Sequence, residues 1–158
     1  MAKSNKKREP LKIDLSKIQF VRIDLIHFDL TLPKEGFDAQ NIAVNYTTNI
    51  ISKANVESKL LFIILNIEVT NVSKTAHYAS LEIDCIFHID NFEELVQTKE
   101  YPIIHVDGHL NGILNELSFS TARGIVFSLF RGTYLHTAIL PILIPNQLTP
   151  MPYAPTKK

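Results

Sequence analysis

The run "LLFIILNIEV", Leu60 to Val69, restricts what this chain can build more than any other segment. Its alternation sets Leu61, Ile63, Leu65, Ile67 and Val69 on one face and Phe62 and Ile64 on the other, which reads as a strand buried on both faces at its centre. Asn66 and Glu68 interrupt it, and no stretch of the chain reaches the roughly eighteen uninterrupted apolar residues of a membrane helix. Such a strand needs partners at its edges and cover on its faces, and three further segments qualify as partners. After the polar turn "NVSKT", Leu81, Ile83, Cys85, Phe87 and Ile89 alternate with Glu82, Asp84 and His88, the pattern of a half-buried antiparallel strand. Upstream, Ile42, Val44, Tyr46, Thr48 and Ile50 mark another. From Ile18 a further strand carries Val21, Ile23 and Leu25 in one phase and Ile26, Phe28, Leu30 and Leu32 in the other, and a bulge near Leu25 accounts for the shift. Pro33 and Gly36 in "PKEGF" end it and open a longer connection that contains Phe37.

The linker "EYPIIHVDG" separates these strands from a segment of helical period, His109 to Phe130, with Asp107 placed as its N-cap. Wound as a helix, Leu110, Ile113, Leu114 and Leu117 share one stripe, which the small residues Thr121, Gly124 and Ser128 continue. Phe119, Ala122, Val126, Leu129 and Phe130 lie on roughly the opposite side. A helix resting on one sheet needs a single apolar stripe. Glycine inside a helix costs about 1 kcal/mol relative to alanine, so Gly112 and Gly124 call for close backbone packing. The two faces fit a sheet on one side and another subunit on the other. A kink near Ser118 that turns both halves onto one core fits the pattern as well. Beyond the helix, "YLHTAILPILIPNQL" places Ile139, Leu140, Ile142, Leu143 and Ile144 on both faces of a stretch kept extended by Pro141 and Pro145. It serves either to cover the core or to offer a surface to a ligand.

The reading is an α+β domain, a four-stranded antiparallel sheet followed by one long helix, in a chain of 158 residues, which is long enough to bury roughly two-thirds of its unfolded surface. Lys3, Lys6, Lys7 and Arg8 make residues 1–10 a basic tail. No apolar run follows it as in a signal peptide, so the mature chain is expected to start here. Pro150, Pro152 and Pro155 mark residues 149–158 as a second tail, leaving 11–148 as the domain. A formal net charge of 0 leaves no basic face, and neither nucleic acid nor membrane is expected as a partner. The single cysteine, Cys85, forms no intramolecular disulfide and suits a reducing, cytoplasmic setting, in which the sequons at Asn45 and Asn71 carry no meaning.

Catalytic chemistry has little to stand on. In "HVDGH", His105, Asp107 and His109 could gather round a metal ion, but Asp107 and Gly108 mark a helix start, whereas a metalloprotease spacing sets both histidines within one helix. Cys85 falls on the inward face of its strand and reads as a small core residue. There is no glycine-rich phosphate loop, and Ser118 and Ser120 lack a nucleophile elbow. No catalytic residue, metal or cofactor is expected.

The order of these elements and several short motifs resemble the SecB protein-export chaperones. The motifs are "RI" at Arg22 and Ile23, "TAHY" opening the fourth strand and "IFHI" closing it, and "FSTARGIVFSLFRGT" leading to Leu140 and Pro141. The last is the most specific, matching the family's "AR" within the helix and "RGT" just after it. The resemblance covers nearly the whole chain. It implies a homotetramer, a dimer of dimers whose long helices are sandwiched between two layers of sheet, with Leu117, Thr121, Gly124 and Ser128 at the oligomer interface. It also implies a chaperone that uses no ATP and holds unfolded chains in apolar grooves, whose surfaces by position hold Phe37, Val44, Tyr46, Leu140, Ile142 and Ile144. Its clients are unfolded preproteins or, in relatives that serve toxin–antitoxin systems, an antitoxin.

Two departures bear on that implication. Positions at which export chaperones present acids to the translocase ATPase hold His27, Thr31 and Ser80, leaving displaced acids at Asp24, Asp29, Glu82 and Asp84, so binding to that ATPase is not expected. The prolines after Pro145 leave a second C-terminal helix reduced or absent, together with any acidic metal-binding tail. A trimmed relative of this kind fits the toxin–antitoxin branch. Behind the chaperone stand two other classes, in order: an oligomeric adaptor that binds one specific partner, and a small metal-dependent enzyme.

Overall fold

Strand β3 (Leu60–Asn71) pairs with β2 (Val44–Asn55) on one side and β4 (His77–Ile89) on the other, and β4 pairs outward with β1 (Ile18–Leu30), so the antiparallel order is β1-β4-β3-β2. The computed structural model describes residues 13–32, 42–100 and 103–142. The central pair carries the core. Register partners such as Ile63 with Cys85 and Leu65 with Ile83 lie on one face, and the inward side chains of both strands are almost wholly buried. Ile64 and Ile86 stay buried on the opposite face, so the centre of β3 is enclosed on both sides. Asn71 shapes the turn between them: its side-chain oxygen accepts from Thr75 N at 2.8 Å and Ala76 N at 3.0 Å.

β1 is irregular at two places. Its register against β4 slips between Phe20 and Arg22 and again between Leu25 and His27. The second slip is the bulge that alternation locates. The first is concealed in the sequence because the extra residue, Val21, is itself apolar and continues the phase of Ile23 and Leu25. In the structure Phe20, not Val21, shares a face with Ile23, and its ring stacks on Phe87 at 4.6 Å.

The segment after β4 is more ordered than a linker. A single helical turn, α1 (Phe92–Leu95), leads into β5 (Val96–Glu100), which pairs with β6 (Ile103–Val106) as a small hairpin. Phe92, Leu95 and Val96 enter the core. Strands of this length hold too few alternations to be recognised by period.

Helix α2 (Gly108–Phe130) runs unbroken for 23 residues and starts on Asp107, whose Oδ1 accepts from His109 N at 3.0 Å and Leu110 N at 3.2 Å. Its buried positions differ from the two stripes drawn from the sequence. Leu110 and Leu114 are buried together with Ser118, Ala122, Val126 and Phe130, one continuous row of four-residue steps. Each step turns the row about 40° round the helix, so the contact face rotates gradually and both halves reach one core without a kink. Leu117, Gly124 and Ser128 remain exposed on another side.

After α2 the chain reverses through Gly132, whose φ of +82° favours glycine. Thr133 closes the reversal, with its N and Oγ1 both donating to Phe130 O. Leu135, Ala138 and Leu140 then return to the core. Phe37, Ile144, both tails and the place of a second C-terminal helix lie outside the described residues.

Removing the helix cap tests the start of α2. Asp107→Ala is expected to cost about 1 kcal/mol, and Asp107→Ser to retain most of the stability. Urea titration should show the alanine midpoint falling with an unchanged slope.

Candidate polypeptide-binding surface

Three regions present apolar side chains that no other described residues cover. The first is β1. Phe20, Ile23 and Leu25 belong to the helix-facing side of the sheet but remain exposed, as do Val21 and Ile26 at the bulges. The far edge of β1 has no strand beside it among the described residues. A long edge with apolar side chains is a ready template for another chain.

The second region is the outer side of α2, where Leu117 and Phe127 are exposed beside Thr121, Gly124 and Ser128. Thr121 Oγ1 donates to Leu117 O at 2.9 Å and Ser128 Oγ to Gly124 O at 2.9 Å. Both hydroxyls are thus spent on their own helix, and the stripe is smooth and short-sided. A Cβ built on Gly124 meets nothing within 4 Å. Among the described residues, no close contact therefore requires the glycine.

The third is the segment after the reversal. Leu140 is 1 % exposed and Ile142 81 % exposed, with Ile139 at 61 %. Leu140 and Ile142, both read from the sequence as groove residues, therefore differ within this chain: Leu140 is packed into the core and Ile142 is exposed. Arg123 Nε donates to Leu140 O and Nη2 to Pro141 O, each at 3.1 Å. Val44 and Tyr46, on the helix-facing side of β2, are half-buried against the core. The Tyr46 hydroxyl is buried without a partner among the described residues, and burial pushes its pKa up to about 12.

Residues with catalytic potential are otherwise engaged. Cys85 is fully buried, and burial raises its thiol pKa. The carboxylate of Asp107 is used as a helix cap, and among the described residues no group of three metal-ligating side chains stands together. His27 Nε2 lies 3.3 Å from Ser80 Oγ, and Thr31 Oγ1 lies 3.3 Å from His77 Nδ1, so His27, Thr31 and Ser80 take part in short polar links between β1 and β4. Sequence reasoning missed Arg123 and Tyr134 as organising residues. Tyr134 Oη donates to Thr31 O at 2.6 Å and ties the reversal to the end of β1. The available signal was one cation amid the apolar positions of "TARGIV".

No family model matches the chain, and no curated protein does. Among solved structures it is similar to the Mycobacterium tuberculosis SecB-like chaperone Rv1957 in complex with a ChAD peptide from the Rv1956 HigA1 antitoxin. The TM-score is 0.57 at 12% sequence identity, covering 82% of this chain and 91% of that chain. The fold is SecB-like. On the outer face of this SecB-like sheet Asp84 stands opposite Asp24 in the register, with Glu82 nearby.

Burial, then the Glu82 carboxylate, raises the Asp84 pKa, with Asp24 adding to the rise and Lys53 opposing it. A carboxyl raised on folding contributes its stability below its unfolded pKa, and that contribution is lost as pH rises through the folded value. Asp84→Asn removes this loss. The variant should melt higher than the wild type at neutral pH, and the two should converge near about pH 3, below the ordinary aspartate value. Thermal melts across that range check the sign.

Proposed function

We propose that this protein is an ATP-independent, SecB-like chaperone that holds non-native polypeptide on apolar surfaces in the cytoplasm, with an antitoxin or an unfolded preprotein as client. The observation that carries the reading is the uncovered apolar surface of a SecB-like fold, on β1 and around Ile142. The solved neighbour with an antitoxin peptide bound gives the same fold a peptide partner. No helix of the described residues is long and apolar enough to cross a membrane.

In this proposal the client groove is lined by Val44, Tyr46 and Ile142, together with Phe37 and Ile144, while Leu140 anchors the segment from beneath. Many weak apolar contacts along one extended client add up to useful affinity. Binding to the export ATPase is expected to be weak or absent, since His27, Thr31 and Ser80 offer it no negative charge. A substoichiometric amount of the protein should suppress aggregation of several unrelated unfolded proteins without nucleotide. An adaptor would bind one folded partner and suppress none. Burying an isoleucine is worth roughly 1.5–3 kcal/mol, so Ile142→Ser should weaken holding by about tenfold at an unchanged melting temperature. Leu140→Ser should instead lower the melting temperature, since truncating a buried leucine costs about 2–5 kcal/mol.

The working unit is a homotetramer, a dimer of dimers that covers β1 and the Leu117, Thr121, Gly124, Ser128 stripe. Arg22 and Asp24, paired at 2.9 Å, also allow a two-fold pairing of β1 edges with opposite charges across it. Because a Cβ at Gly124 meets nothing within 4 Å among the described residues, Gly124→Leu is expected to spare the isolated fold and to burden a contact between copies. Overpacking such a contact costs about 1–3 kcal/mol per site. Light scattering should find the wild type tetrameric at micromolar concentration and the variant shifted toward dimers with its sheet retained. A monomeric wild type would sink the tetramer.

A further inference from the structure

Arg123 belongs to α2, yet its guanidinium leaves the helix to bind the chain that returns along it. One planar fork holds two consecutive carbonyls, those of Leu140 and Pro141, at 3.1 Å each, and lies over the Phe119 ring at 5.7 Å from its centroid. The place of these bonds is informative. Upstream, the burial of Leu135, Ala138 and Leu140 already anchors the segment. Arg123 acts at the point where burial stops, since Pro141 and Ile142 are both exposed. The two carbonyls belong to the peptide planes on either side of Pro141. Fixing both planes fixes the direction in which Ile142 leaves the core, and Pro141 adds its own constrained φ. Contacts to backbone oxygens also leave the exposed side chains of Ile139 and Ile142 available for another purpose.

We propose that Arg123 is the positioning residue of the client-binding segment. It holds the backbone on both sides of Pro141, with Leu140 buried and Ile139 and Ile142 exposed, so that an extended polypeptide rich in apolar side chains meets a surface ordered before it arrives. This rests on the chaperone reading above. An ordered segment gives up less conformational freedom on binding than a loose one, which raises affinity without adding a contact. Lysine, a compact charge on a flexible stem, reaches one carbonyl at a time and reproduces the clasp in part.

The test uses the full chain and a permanently unfolded probe, fluorescently labelled lactalbumin with its disulfides reduced and carboxymethylated. Binding is measured beside thermolysin cleavage within residues 138–142, light scattering and thermal melts. Arg123→Met should weaken probe binding about fivefold or more, speed that cleavage about tenfold, and leave the oligomer mass unchanged. Arg123→Lys should fall between the methionine variant and the wild type in both readouts. A wild type that fails to bind the probe overturns the chaperone reading itself. A wild type that binds, beside a methionine variant that is cleaved faster but binds equally well, overturns the role of Arg123 alone. Should the methionine variant fail to fold, wild-type cleavage with and without probe decides: protection of residues 138–142 by the probe supports the proposal, and unchanged cleavage overturns it.

Discussion

The burial of the inward side chains of β3 and β4 beneath the row from Leu110 to Phe130 organises everything else in this chain. Leu61, Ile63, Leu65, Ile83, Phe87, Leu110, Leu114 and Phe130 are all but inaccessible. Each large side chain so buried contributes roughly 1.5–3 kcal/mol. The same layer also accepts Asn115, whose side-chain oxygen lacks a partner among the described residues, and Ser118, whose hydroxyl interacts with the Cys85 thiol. A buried polar atom without a partner works against stability, and the surrounding apolar contacts must offset it. The row itself winds round α2, so cover passes from the sheet to the returning C-terminal segment along its length.

Cover ends before β1. The helix spans the central strands, and the edge strand keeps its helix-facing Phe20, Ile23 and Leu25 in solvent. Proteins ordinarily blunt such an edge with charge, bulges or a covering element. Here two bulges and the Arg22–Asp24 pair are present, but apolar side chains still project on both sides of the strand. In the proposed tetramer, a second copy supplies the missing cover. The outer stripe of α2 has the complementary character, short side chains with hydroxyls turned back onto the helix, which favours close approach of another helix. The cost of Gly124 within the helix, about 1 kcal/mol, finds no offset in a close contact among the described residues and is consistent with such an approach.

At the C-terminal end, one segment divides its residues between stability and the proposed binding. Leu140 is committed to the core, and Ile142 two positions later is almost fully exposed. Arg123 and Tyr134 mark the transition, one holding the outgoing backbone and the other tying the reversal to Thr31 at the end of β1. Functional surface of this kind is built from what a rigid core leaves unburied, so it depends on the placement of the core at every point.

The strand order along the chain, the bulge near Leu25, the Asp107 cap and the length of the helix follow from local pattern, because alternation, capping and helical period are set by neighbours in sequence. The RGT motif carried part of the likeness to SecB-like chaperones for a related reason: Arg131 ends the helix and Gly132 takes a positive φ, and both answer local backbone requirements. The slip at Val21 and the hairpin of β5 and β6 were not legible, since an apolar bulge residue mimics the regular phase and short strands hold few repeats. Nor was the division between Leu140 and Ile142, or the clasp of Arg123 across 17 residues of sequence. Those depend on where the returning segment meets α2. Only the tertiary structure decides it, because a helical row that rotates by about 40° with each step buries different sides at its two ends, and sequence periodicity alone does not say which side meets which layer.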